Sequence, residues 1–202
     1  MAGDYKTWFR SILAFTLAGF VSSGFVGLLL GAIGHWLAGG EWRIAFYAIC
    51  ALSLLLASRE WGWISFPLPE RKCQTHKSWA HQFGFVIASA MWGVHIGLGF
   101  ATRVTYGGFW ILVTVAVAAG NPRYGALLML FYWLGRSLPL WVAPLLIKSD
   151  SDGNNIPERI WEQPRLYHRI AGIGLVWSAV VTAFLAAPHR YSIFNFYDWL
   201  SL

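Results

Sequence analysis

GFVSSGFVG (Gly19 to Gly27) and GFATRVTYG (Gly99 to Gly107) share one nine-residue pattern: Gly-Phe-small-Ser/Thr, four variable residues, then Gly. The two copies lie 80 residues apart in apolar stretches. They place glycine, hydroxyl side chains and, in the second copy, Arg103 where a plain spanning helix would carry Leu or Val. Interrupted helices in corresponding positions of two halves mark a transporter-type membrane fold with its site between the repeats. On that reading Gly19, Gly24, Gly27, Gly99 and Gly107 are helix breaks, and the repeat halves are residues 11–80 and 82–187. The same small residues also suit ordinary helix packing in membranes, and that alternative stays open.

Composition sets the class. A 202-residue chain with 57% hydrophobic, 17% aromatic and 12% charged residues cannot hide its apolar surface inside a soluble globule. The expectation is an all-α, polytopic helical bundle forming a single transmembrane domain over residues 1–202. Apolar stretches run over Ser11–Ala38, Arg43–Ser58, Gln82–Thr102, Tyr106–Ala119, Tyr124–Ile147 and Leu166–Ala187. A crossing needs about 20 apolar residues, so the second and fourth are short. Only Arg103 to Thr105 separate the third and fourth. They are either two spans with a tight reversal, giving six, or one long helix broken at Thr102 to Gly108 and partly re-entrant, giving five.

The apolar run after MAGDYKTWFR exceeds a signal-peptide core, so Met1 onward is expected to be retained. With six spans and an inside N-terminus, Lys6, Arg10, Arg59, Arg71, Lys72, Lys77, Arg123 and Arg190 face the cytoplasm, against Arg43, Arg103, Lys148, Arg159, Arg165 and Arg169 outside. That vote is weak under the positive-inside rule. The net charge of +6 suits loops facing anionic lipid, and the partner it implies is the bilayer, with no nucleic acid. A multi-pass protein of the bacterial plasma membrane is expected.

Of the 13 tryptophans, Trp36, Trp42, Trp61, Trp63, Trp79, Trp141 and Trp199 fall at span ends, where indoles anchor at head groups. Trp92, Trp110, Trp133 and Trp177 lie deeper and are expected to pack against neighbouring helices. Residues 59–81 and 148–165 form polar, proline-bearing loops. The closing YSIFNFYDWLSL (residues 191–202) reads as an interfacial segment.

All nine acidic residues, Glu60 among them, are assigned to loops or tails, which leaves no intramembrane carboxylate for ion coupling. His95, Arg103 and Arg136 are the ionisable groups in or near the apolar stretches and are candidate functional groups on that account. Snorkelling arginines and a neutral core histidine form the alternative. Cys50 and Cys73 fit neither a CxxC motif nor a zinc site, and a span residue rarely meets a loop residue within disulfide range. No phosphate loop, HExxH helix or Ser-His-Asp spacing is present, and no cofactor is assigned. The histidines His35, His76, His81, His95, His168 and His189 are scattered; His76 and His81, five apart, give a weak metal or haem signal, and surface histidines are the favoured reading.

The segment GLGFATRVTYGGFWILVTVAVAAGNPRYGALLMLFYWLGRSLPLWVAPLL (Gly97 to Leu146) resembles the second half of the cytochrome c biogenesis protein CcdA and of the transmembrane domain of the thiol:disulfide interchange protein DsbD. In that family a Gly-rich entry leads to Thr-Pro-Cys and Gly-Pro, then an apolar helix and a helix ending Gly-x-x-x-Pro. Gly97, Gly99, Thr102, Gly125, Gly135 and Pro139 fall into step with it. The departures are informative. Ser22, Ser23 and Gly24 stand at the family's first Ser-Pro-Cys, Thr102, Arg103 and Val104 at its second Thr-Pro-Cys, and Gly27 and Gly107 at the following prolines. Thiol-disulfide exchange needs a thiolate to attack, so the family's electron route is not expected here.

The resemblance implies a CcdA/DsbD-like fold with a cysteine-free central site. The work expected of it is either carriage of a small solute or anion, or an accessory part in maturing a periplasmic redox protein. Proteins that mature methylamine dehydrogenase resemble CcdA too. For a carrier, Ser22, Ser23, Thr102, Arg103, Thr105, His95 and Arg136 would form the binding site. A structural subunit of a larger pigment, haem or electron-transfer complex is the alternative, and an enzyme is not favoured.

Overall fold

The computed structural model describes residues 5–37, 42–68, 78–99, 107–146 and 164–186. These form six helices: α1 (Tyr5–Leu37), α2 (Trp42–Glu60), α3 (Trp79–Gly97), α4 (Gly108–Ala118), α5 (Pro122–Leu146) and α6 (Pro164–Ala186). The described residues are all-helical, with no strand. Three helices are long and apolar enough to cross a membrane: α1, α5 over Pro122–Val142 and α6 over Arg165–Phe184. Their large apolar side chains point outward, as a lipid-facing surface requires, with Val21, Phe131 and Trp177 each at least 70% exposed.

Local chemistry explains the helix ends. Proline occupies the first position of α5 and of α6, where its missing N–H costs nothing. Before α5, Asn121 Oδ1 accepts the Arg123 N–H at 2.9 Å, and Gly120 turns the chain at φ +58°. Within α3, Gly84 (φ 78°, ψ 162°) breaks the helix. A straight helix would hold Trp79 and His95 about 24 Å apart. Their rings instead meet edge to face at 6.0 Å, so the first turn folds back along the second piece.

Helix α1 is the spine. A Cβ on Gly27 would fall 2.7 Å from Ala126 Cα, and one on Gly31 2.7 Å from Pro122 Cα, so α5 descends antiparallel at backbone contact. Gly19 lies under the fully buried Trp133, whose indole N–H donates to Thr16 O at 2.9 Å. The expected break in the first copy is therefore absent: α1 is unbroken through Gly19, Gly24 and Gly27, and those glycines admit close helix packing. The second copy does interrupt the helix. Helix α3 ends at Gly97, Gly99 takes φ +74°, and α4 begins at Gly108.

Helices α3 and α4 run in the same direction along α1. Gly93 meets Phe15 and Gly97 meets Gly19 and Ser22, while Phe109 clusters with Val26 and Gly34 meets Val117. Two spans joined by a tight reversal would instead run antiparallel. A second pair, α2 with α6, packs through Ile49, Leu56, Ala57 and Leu175, with Ile111 of α4 completing that core. Trp110 is half-buried and Trp133 fully buried, as expected, whereas Trp177 is 70% exposed and faces outward.

Candidate functional site

Arg59 and Glu60 close α2. A carboxylate at a helix C-terminus sits at the negative end of its own dipole and needs positive partners elsewhere. Glu60 finds three. Oε1 accepts the Gly107 N–H at 2.9 Å, at the positive end of α4, and the Arg59 Nη1 at 3.1 Å. Oε2 accepts from His168 Nδ1, in the second turn of α6. The Glu60 side chain is fully buried, while those of Arg59 and His168 are 22% and 34% exposed. One carboxylate thereby ties together the ends of α2, α4 and α6.

The residues that follow build a wall. Arg59 Nε donates to Phe66 O at 2.9 Å and the guanidinium lies 5.8 Å from the Phe66 ring, which folds residues 61–68 back over the helix ends. Trp61 and Trp63 pack edge to face at 5.0 Å. The Trp61 indole nitrogen rests where any Cβ on Gly172 would stand, so glycine is required for α6 to approach. Between this wall and α6 lies a half-open cleft of about 720 Å3, with Glu60 at its base and Arg165, His168 and Arg169 on the opposite side. The carboxylate-imidazole pair at its base can hold and pass a proton.

This node corrects two expectations. Glu60 is not a loop carboxylate but a buried helix-terminal one, because three donors from α2, α4 and α6 converge on it. His168 is not a simple surface histidine, because one ring nitrogen is committed to that carboxylate. The span pattern stopped at Ser58, and nothing local in the sequence connects positions 60, 107 and 168. The one available signal was Arg-Glu directly after an apolar run.

Of the residues read from the sequence, Gly107 is part of this node, and the described binding candidates fall elsewhere. Ser22 Oγ donates to Gly19 O at 3.1 Å, and Ser23 Oγ donates across the bundle to Met129 O at 2.7 Å. Ser22 also meets Gly97, two residues before the second copy, where α1 and α3 pack together. His95 Nδ1 is buried with no hydrogen-bond partner among the described residues, facing the Trp79 ring. Arg136 is exposed on α5 and donates to Tyr132 Oη at 2.7 Å. Thr102, Arg103 and Thr105 lie outside the described residues, as do Cys73, His76 and residues 191–202. Cys50 is a free, half-buried thiol. Among the described residues no three His, Cys, Asp or Glu side chains gather as metal ligands.

The chain is similar to three curated methylamine utilization proteins. The chain is 26% identical over 136 residues to a methylamine utilization protein MauF of Methylophilus methylotrophus, covering 62% of this chain and 48% of that protein. It is 26% identical over 119 residues to MauF of Paracoccus versutus, covering 58% and 43%. Against MauF of Methylobacillus flagellatus it is 21% identical over 157 residues, covering 77% and 52%. The chain thus spans about half the length of the curated relatives it matches. No family model matches it, and no solved structure does.

Proposed function

We propose that this chain is a membrane-embedded accessory protein for methylamine utilisation, acting in the maturation of a periplasmic redox protein and not in thiol electron transfer. The similarity to three MauF proteins carries this reading. It agrees with the resemblance to CcdA and DsbD, whose two exchange cysteines this chain replaces with Gly24 and Val104. In the organism that carries the gene, its deletion is expected to abolish growth on methylamine as sole nitrogen source and to deplete the mature methylamine-oxidising enzyme. A Cys50→Ser/Cys73→Ser double variant is expected to restore both. Normal growth and normal enzyme after deletion would sink the proposal, and failure of the cysteine-free variant would restore a thiol role.

The proposed topology has five crossings, with α3 and α4 sharing one. Support comes from the common direction of α3 and α4 along α1 and from charge. On this arrangement Lys6, Arg10, Arg59, Arg71, Lys72, Lys77, Lys148, Arg159, Arg165 and Arg169 lie on the N-terminal side, against Arg43, Arg123 and Arg190 on the other. Such asymmetry favours a cytoplasmic N-terminus by the positive-inside rule, where the six-span count barely discriminated. Alkaline phosphatase fused after Leu202 is expected to be active and fused within residues 150–158 inactive. Six crossings demand the reverse.

A further inference from the structure

The cleft beside Glu60 has more positive charge than its own carboxylate uses. Both Glu60 oxygens are engaged by Arg59, Gly107 and His168. Arg165 and Arg169, one helical turn apart on the same face of α6, are exposed, and among the described residues neither has a carboxylate partner. Facing them are Trp61 and Trp63, an aromatic pair of the sort that attracts alkylammonium ions. Charge decides against such a cation, since two guanidinium groups with no carboxylate partner among the described residues would repel it, and in favour of an anion.

The surroundings say what kind of anion. The membrane-length segment of α6 begins at Arg165, so the cationic pair sits at the start of the apolar run. From there Ile170, Ile173, Trp177 and Phe184, each at least 57% exposed, follow at helical spacing and form one apolar stripe. Ile173 lines the cleft itself, so the cavity opens directly onto that stripe. A cationic pocket with an indole wall, continuous with exposed apolar helix, matches a molecule that has an anionic head and hydrocarbon tails. Inorganic phosphate shares the head chemistry but makes no use of the stripe.

We propose that this cleft binds the phosphate head group of an anionic phospholipid between Arg165, Arg169 and the Trp61–Trp63 wall, with the acyl chains laid along the exposed face of α6. The site is separate from the maturation role and does not depend on it. The test is native mass spectrometry of the full chain in mild detergent with added phosphatidylglycerol, phosphatidylcholine or inorganic phosphate, alongside thermal unfolding. Wild-type protein is expected to retain one phosphatidylglycerol and to melt higher with it, with neither effect from phosphatidylcholine or phosphate. The Arg165→Gln/Arg169→Gln variant is expected to lose at least about tenfold of that retention, on the scale of surface cations near anionic lipid. Arg123→Gln, remote from the cleft, is expected to behave as wild type. Both cleft arginines are exposed, so folding is expected to survive, and the single variants read the same ratio if the double one does not fold. Equal retention in the cleft variants, equal retention of phosphatidylcholine, or equal loss in Arg123→Gln overturns the proposal. Stabilisation by phosphate alone that vanishes in the cleft variants makes the site one for a free anion and overturns the lipid assignment.

Discussion

The two sides of this bundle are held together by opposite means. Where α1 meets α3 and α5, glycine brings backbones into contact and serine and tryptophan donate to main-chain carbonyls, so no charge is involved. Where α2, α4 and α6 end, a buried carboxylate gathers three donors. The first design tolerates no added volume but loses little with any single hydrogen bond. The second tolerates changes of size at its edges but depends on one side chain. The contrast follows from the solvent: in lipid, close packing has no water to expel and must come from shape, whereas a charge must bring its partners with it.

The largest expected effect is on the glycine side. Gly27→Leu puts its Cβ against the backbone of Gly125 and Ala126, and backbone cannot move aside as a flexible side chain does. Loss of the folded bundle is expected, more than about 4 kcal/mol, seen as aggregation on size-exclusion chromatography in detergent. Gly174→Leu on α6, with nothing near its Cβ position, is the control and is expected to remain folded. If both variants elute as wild type, α1 and α5 are not in backbone contact.

Next in size is Glu60→Ala. Removing a buried hydrogen-bonded carboxylate costs about 3 to 5 kcal/mol, and the lower end applies because His168 is 34% exposed and partly screened. Glu60→Gln keeps an acceptor for the Gly107 N–H and is expected to cost less. A cycle with His168→Ala, followed by thermal melting, is expected to show non-additivity. Strict additivity would mean that the two side chains do not meet.

How much of this was legible depends on distance along the chain. Helix positions were readable because hydropathy is local: the apolar stretches over Ser11–Ala38 and Leu166–Ala187 became α1 and α6 with ends shifted by a few residues. The glycines were seen but half misread. Gly19, Ser23, Gly27 and Gly31, four apart, are the small-xxx-small spacing of a packing face, and only the copy with Gly99 at positive φ interrupts its helix. The Glu60 node left no more than Arg-Glu after an apolar run. It joins residues 47 and 108 positions apart, and no local pattern carries such a pairing. Ser23 was read as a ligand because a hydroxyl at that depth is unusual, yet an unfilled backbone carbonyl on a neighbouring helix calls for the same side chain.

Ser23 therefore gives the smallest effect and the sharpest distinction between its two roles. Its hydroxyl is fully buried and donates to Met129 O at 2.7 Å, on a helix in backbone contact with α1. Interhelical hydrogen bonds in membranes contribute about 0.6 kcal/mol on average, because the separated helices also find partners. Ser23→Ala is expected to lower stability by about that much in reversible unfolding with sodium dodecyl sulfate, with methylamine growth unchanged. A structural hydroxyl and a ligand differ in which readout moves. If growth fails while stability holds, Ser23 faces a substrate after all, and the glycine side of the bundle has a function beyond packing.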